Sequence, residues 1–343
     1  MINAFSSIVG NRSLCQKLAH AIDGNSLSHA YIIEGAAGSG RHTIALHTLA
    51  AASCKDRKVA GASLPCKKCS FCKKILEGKS ADVIKVEREE GKATIGVETM
   101  RFLKSDIYLP PTELSYKTYI IDGADTMTSQ AQNAFLLSLE EPPPYVIFFL
   151  ICENSSALLE TVKSRAPILR TERIPAEQIE KYILENDRRA AALKTESPDD
   201  FYELICSADG SIGYALSLLD LKTRRSVFEN RRIAKDFVSL ASGKLNRDKL
   251  ELIASLGTKR QDVCDRLSYI QYALRDLMLL KRDEDVPLCF FANREQACEL
   301  STRFTSKKLM TLYEATETAT DDLSRNSNVK LTLINMLKNS ELI

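Results

Sequence analysis

The stretch Gly35-Ala36-Ala37-Gly38-Ser39-Gly40-Arg41-His42-Thr43 decides the fold. It follows a short apolar run, Ala30-Tyr31-Ile32-Ile33-Glu34, and leads into a helical pattern over residues 41–53. A glycine-rich turn between a buried strand and a helix N-terminus is the setting of a phosphate-binding loop, where backbone N–H groups and the helix dipole face an anion. The glycines fit GxxxxG, but the next two positions do not fit K[ST]. Arg41 stands where a lysine would reach the β- and γ-phosphates, and His42 where a hydroxyl would hold Mg²⁺. A guanidinium does not replace an ammonium in a tight phosphate cage, and imidazole is a poor ligand for hard Mg²⁺. These residues favour a loop that keeps the strand-to-helix turn without ATP chemistry over a working ATP site.

Working outward, four more apolar runs appear: Asp82-Val83-Ile84-Lys85-Val86, Thr118-Tyr119-Ile120-Ile121-Asp122, residues 145–151 (YVIFFLI) and Pro167-Ile168-Leu169-Arg170. Helical patterns at 97–107 and 129–141 separate them. Strands that are apolar throughout and alternate with helices predict a parallel sheet covered on both faces. Asp122 ends its strand as a Mg²⁺-organising carboxylate would. The acid that would polarise an attacking water is replaced by Gly123, and Asp125 reads as the N-cap of the following helix.

Past residue 173 the strand signal stops. Helices are expected at 175–186, 198–206 and 211–220, then at 225–242, 249–256, 260–281, 294–301 and 307–342. The last should break near Arg325-Asn326-Ser327-Asn328, with Leu331, Ile334 and Leu337 recurring at helical spacing beyond it. The expected organisation is an α/β domain over 1–173, a three-helix domain over 174–222 and an all-helical domain over 223–343.

The 343 residues carry 27% charged and 44% hydrophobic side chains, an ordinary globular composition. A net charge of +2 excludes a globally basic nucleic-acid coat while leaving local patches open. There is no apolar run long enough for a membrane span and no basic, then apolar, leader at Met1-Ile2-Asn3-Ala4-Phe5-Ser6. The expected compartment is therefore the cytoplasm, where the ten cysteines stay reduced and clustered ones read as metal ligands.

Cys54, Cys66, Cys69 and Cys72 follow the pattern C-x11-C-x2-C-x2-C. Four thiolates so spaced can meet tetrahedrally around one structural Zn²⁺, against chance clustering or a redox CxxC. Around them Lys55, Arg57, Lys58, Lys67, Lys68, Lys73, Lys74 and Lys79 face only Asp56 and Glu77. Contact with DNA is one reading of that patch. Offsetting the negative charge of a Zn(Cys)₄ centre on a solvated surface is the simpler one. Cys15, Cys152, Cys206, Cys264, Cys289 and Cys298 are scattered and read as small core residues.

Taken together the motifs become specific: Val9-Gly10-Asn11, Ser28-His29-Ala30-Tyr31 before the loop, the four-cysteine insert after it, Ile121-Asp122-Gly123-Ala124-Asp125, Leu139-Glu140-Glu141-Pro142-Pro143 and Ser164-Arg165. Over about residues 5–170 this resembles the AAA+ subunits of the bacterial sliding-clamp loader, the γ/τ and δ′ subunits of DNA polymerase III. The helical remainder is similar in kind to that family's lid and collar domains. Motor subunits of the family carry an intact phosphate loop, an Asp-Glu pair, sensor threonines after the fourth strand and a Gly-Ser-x-Arg sequence in the lid. Here the corresponding residues are Arg41-His42, Asp122-Gly123, Cys152-Glu153 and Gly210-Ser211-Ile212-Gly213. All four departures resemble the non-hydrolysing δ′ branch.

Ser164-Arg165-Ala166 is similar to the family's Ser-Arg-Cys motif, with Ala166 for Cys. Read alone, Arg165 would cap a helix or pair with Glu160 or Glu172. The resemblance implies instead that Arg165, with Ser164, reaches the ATP of a neighbouring subunit as an arginine finger. It also implies hetero-oligomeric partners, the γ/τ and δ subunits, and through them the sliding clamp and primed DNA, with no membrane and no intrinsic ATPase. The alternatives are an ATP-hydrolysing γ/τ-type subunit and a zinc-dependent DNA-binding protein; near-neutral total charge speaks against the latter.

Overall fold

The structure is a computed structural model that describes residues 3–5, 7–59, 63–89, 91–243, 254–283, 286, 288–291 and 293–340. The strands are β1 (Asn3–Ala4), β2 (Ala30–Glu34), β3 (Ser63–Leu64), β4 (Val83–Val86), β5 (Lys117–Asp122), β6 (Val146–Cys152) and β7 (Ile168–Arg170). The chain divides into two compact units, residues 1–182 with 210–214, and residues 183–209 with 215–343.

In the first unit β4-β5-β6-β2-β7 form one sheet with every neighbouring pair parallel. All seven residues of β6 are buried because it lies between β5 and β2 with both faces covered. Alternation divides its side chains. Ile147, Phe149 and Ile151 join one apolar cluster with Leu18, Ile44 and Leu49, and Phe148 and Leu150 join another with Met100, Phe135 and Leu139. The helices Arg12–Asp23 and Arg41–Ala52 thus cover one face, and Val97–Asp106 and Ser129–Glu140 the other. Parallel strands put their carboxyl ends on one edge, so Glu34, Asp122 and Cys152 finish side by side: Glu34 registers with Cys152, and Asp122 with Ile151.

The five expected strands all form. The pairing of β1 with β3, parallel at Asn3 and Ser63, was not expected, since two-residue strands leave no periodicity to read. The expected three-helix stretch carries a fourth helix, Arg188–Glu196. Asp187 caps it by accepting the Arg189 N–H, but only Ala190 and Leu193 are buried, too sparse a stripe to register as a helix in the sequence.

In the second unit Leu221–Ala241, Arg260–Leu280, Arg294–Thr302, Ser306–Ser324 and Val329–Asn339 enclose a core that includes Phe237, Leu267, Leu274, Leu312 and Leu333. The expected break falls between the last two helices. The buried stripe of the last one is Leu333, Met336 and Leu337, while Leu331 is exposed. Asp276, fully buried, is satisfied by the N–H groups of Cys289, Phe290 and Phe291. Most of the helix expected at 249–256, and the end of the one expected to reach 342, lie outside the described residues. Among the described residues no helix is long and apolar enough to cross a membrane.

Candidate functional site

The loop after β2 turns through Gly38 (φ +73°) and Gly40 (φ +88°), left-handed conformations that favour glycine. Gly40 is the N-cap of helix Arg41–Ala52. A Cβ on Gly35 would sit 1.8 Å from Thr171 Oγ1, whose hydroxyl lies 3.0 Å from that of Ser39. Residues 211–214 lie against the loop. The Gly213 N–H donates to Gly38 O (2.9 Å), and Ser211 Oγ donates to Ala37 O (3.0 Å).

Behind the loop, His42 Nε2 is 3.2 Å from Asp122 Oδ2, both side chains about two-fifths exposed. The position that would supply a Mg²⁺-binding hydroxyl and the position that would organise Mg²⁺ thus face each other. Arg41 is largely buried, with Nη2 3.9 Å from Glu153 Oε1. A cavity of about 460 Å³ is lined by Arg41, Arg88, Glu87, Asp122, Asp125 and Glu153, among others. Four carboxylates against two guanidiniums make a poor field for a polyphosphate. Asp125 is not the expected helix cap. It accepts the N–H groups of Glu153 (2.9 Å) and Asn154 (3.3 Å), tying two strand ends together, and Thr128 caps Ser129–Glu140 through the Ala131 N–H. The reason is chain geometry: residues 124–126 form a 3-10 turn that carries Asp125 away from the helix start.

Arg165 follows the short helix Glu160–Lys163. Its Nη1 donates to Thr161 O (2.9 Å) and Ser164 Oγ (3.3 Å), and Nη2 donates to Glu140 Oε1 (2.9 Å). Ser164 Oγ donates to Thr161 O at 3.0 Å. The carboxylate beside Arg165 is neither Glu160, which pairs with Lys163, nor Glu172, whose backbone N–H is held by the buried Asn11. Glu140 lay in view within Leu139-Glu140-Glu141-Pro142-Pro143, but no local pattern links it to a residue in another loop.

The four insert cysteines do come together, their sulfurs all within 4.8 Å of one another. Cys54 follows the end of Arg41–Ala52, and Cys69 caps Ser70–Leu76. The Cys69 N–H points at Cys66 Sγ (3.3 Å) and the Cys72 N–H at Cys69 Sγ (3.4 Å). Such contacts stabilise sulfur carrying negative charge. Burial pushes the Cys66 and Cys72 thiols up, whereas at Cys69 backbone N–H groups from Cys72 and Lys55 and the neighbouring thiols outweigh burial and hold the thiol down to about 7. Donor number, donor type and spacing therefore fit a closed tetrahedral thiolate site. Several of the basic residues are engaged within the chain: Lys74 with Glu113, Lys79 with Glu77, Arg57 with Ile22 O and Asn25, and Lys55 over the Phe71 ring. Of the remaining cysteines, Cys15 and Cys152 are buried, while Cys206, Cys264, Cys289 and Cys298 are part-buried.

A family model described as DNA polymerase III, delta subunit, matches residues 10–175. The chain is 27% identical over 291 residues to DNA polymerase III subunit tau of Bacillus subtilis (strain 168), covering 81% of this chain and 50% of that protein. It is 30% identical over 219 residues to DNA polymerase III subunit gamma of Buchnera aphidicola subsp. Acyrthosiphon pisum, covering 63% and 58%. The chain thus spans about half the length of these curated relatives. Among solved structures, a DNA polymerase III gamma subunit-related protein from Thermotoga maritima aligns over 95% of this chain and 98% of that one, at 18% identity and a TM-score of 0.46.

Proposed function

This chain belongs to the bacterial DNA polymerase III clamp-loader AAA+ family of γ, τ and δ′ subunits, and we propose that within it the protein is a non-hydrolysing subunit of the δ′ type. The observation that carries this reading is the contact between His42 and Asp122. An imidazole holds the carboxylate that a Mg²⁺–ATP site would use, Gly123 supplies no acid beside it, and no lysine stands at Arg41.

In this reading the protein works in the cytoplasm, joined to γ/τ and δ subunits, and helps their ATP-driven loading of the sliding clamp onto primed DNA. Residues 1–173 are the nucleotide-binding-like module, 174–222 a lid and 223–343 a collar that makes the oligomer contact. Cys54, Cys66, Cys69 and Cys72 hold one structural zinc, which fixes the insert and takes no part in chemistry. Arg165, with Ser164, enters the ATP site of the adjacent subunit, where a guanidinium stabilises charge on the transferring phosphoryl group by roughly 10³–10⁵ in rate.

The second reading, an ATP-hydrolysing γ/τ-type subunit, is favoured by the names of the curated relatives, which are τ and γ subunits. Steady-state ATP hydrolysis by the pure chain separates the two. None is expected, and turnover abolished by Asp122→Ala would replace the δ′ reading by the γ/τ one.

A further inference from the structure

We propose that Glu140 is a latch on Arg165, a positioning residue that competes with the neighbouring subunit's triphosphate for the same guanidinium. The inference rests on the arginine-finger reading and adds a regulation of that site. As the chain stands, the terminal nitrogens of Arg165 are committed to acceptors of its own chain: Thr161 O, Ser164 Oγ and Glu140 Oε1. Of these only Glu140 is charged.

Glu140 takes one of the two N–H donors of Arg165 Nη2 and offsets part of the guanidinium's charge, so a phosphoryl oxygen that meets the closed pair finds a weaker partner. Had the pair stayed closed on entering a partner's site, it would have carried a carboxylate up to a triphosphate, and like charges so close repel. Binding therefore exchanges one anion for the other. The geometry makes that exchange easy. The contact uses one donor and one oxygen, not the two parallel bonds of a fork-to-fork pair. The side chains are 36% and 46% exposed, so neither has to be dragged out of a core. Such a pair holds Arg165 weakly, enough to tax nucleotide engagement and too little to prevent it.

The test uses the complex reconstituted with γ/τ and δ subunits and reads the portion of ATP turnover that Arg165→Ala removes. For that portion, Glu140→Gln is expected to lower KM for ATP about 2–5-fold with kcat unchanged, the signature of a ground-state competitor removed. Glu140→Ala should shift KM further in the same direction. In the Arg165→Ala background Glu140→Gln should change nothing. An unchanged or raised KM, a fall in kcat, or a shift that persists without Arg165 overturns the latch while leaving the finger standing. If Arg165→Ala removes no turnover from a complex of correct composition, the finger reading fails, and the latch with it.

Discussion

The backbone of Gly213 rests directly on that of Gly38: its N–H donates to Gly38 O at 2.9 Å, and a Cβ added to Gly213 would stand 2.7 Å from both Gly38 Cα and Gly38 O. An approach this close needs glycine on the Gly213 side, and Gly38 at φ +73° needs it on the other. In the sequence Gly213 reads as a missing arginine. In the structure it is a contact that the glycine-rich loop after β2 has closed upon.

Gly213→Arg is therefore expected to destabilise the protein by about 1–3 kcal/mol, because a side chain there must push the loop aside. Urea unfolding gives the comparison. Unchanged stability would show that the loop yields freely at this point.

Restoring catalytic residues one at a time should not yield an ATPase. Arg41→Lys, His42→Ser and Gly123→Glu each repair one part of a site that works only as a unit. Turnover by pure chains carrying each substitution checks this, and appreciable activity in any one of them would contradict it.

The insert should hold one zinc ion per chain, closed off by Cys54, Cys66, Cys69 and Cys72. Elemental analysis should find it, and Cys69→Ser should lose it together with stability, since binding and folding of such a site are linked. Zinc-free protein with four freely titrating thiols is the contrary result.

Asp82 supplies a pH test. It is 3% exposed, and its carboxylate accepts the N–H groups of Thr112 (2.7 Å), Glu113 (2.8 Å) and Leu114 (2.8 Å). Burial disfavours its charge, but the three donors outweigh that and hold the acid below the ordinary aspartate value. A folded value below the unfolded one adds stability that is complete above the unfolded value, about 3.9, and is lost as pH falls toward and through the folded value. Asp82→Asn should cost about 1–3 kcal/mol at neutral pH. Its deficit should narrow in urea titrations run below about pH 4; a deficit independent of pH would show that the charge is not what matters.

The strands and the cysteine spacing were legible because they are local. β2 begins and ends where its apolar run does, at Ala30 and Glu34, and the glycines after it announce the turn by themselves. Arg188–Glu196 and the role of Asp125 are not legible in the sequence, for the complementary reason. A helix with two buried residues has almost no stripe, and an acid near a helix start looks like a cap until the intervening turn is known.

The residues of the sequence alone determined a parallel α/β module, a glycine-rich turn that lacks the K[ST] pair and four closely spaced cysteines, because strand runs, glycine turns and short cysteine intervals are written within a few residues of each other. Only the tertiary structure decided which groups meet. His42 found Asp122, Gly213 settled on Gly38, and Arg165 took Glu140 in place of Glu160 or Glu172. Each pair joins segments far apart in the chain, brought together by the order in which strands enter the sheet or by the packing of loops at its edge. At such distances a contact is set by where the backbone returns, which no local spacing encodes.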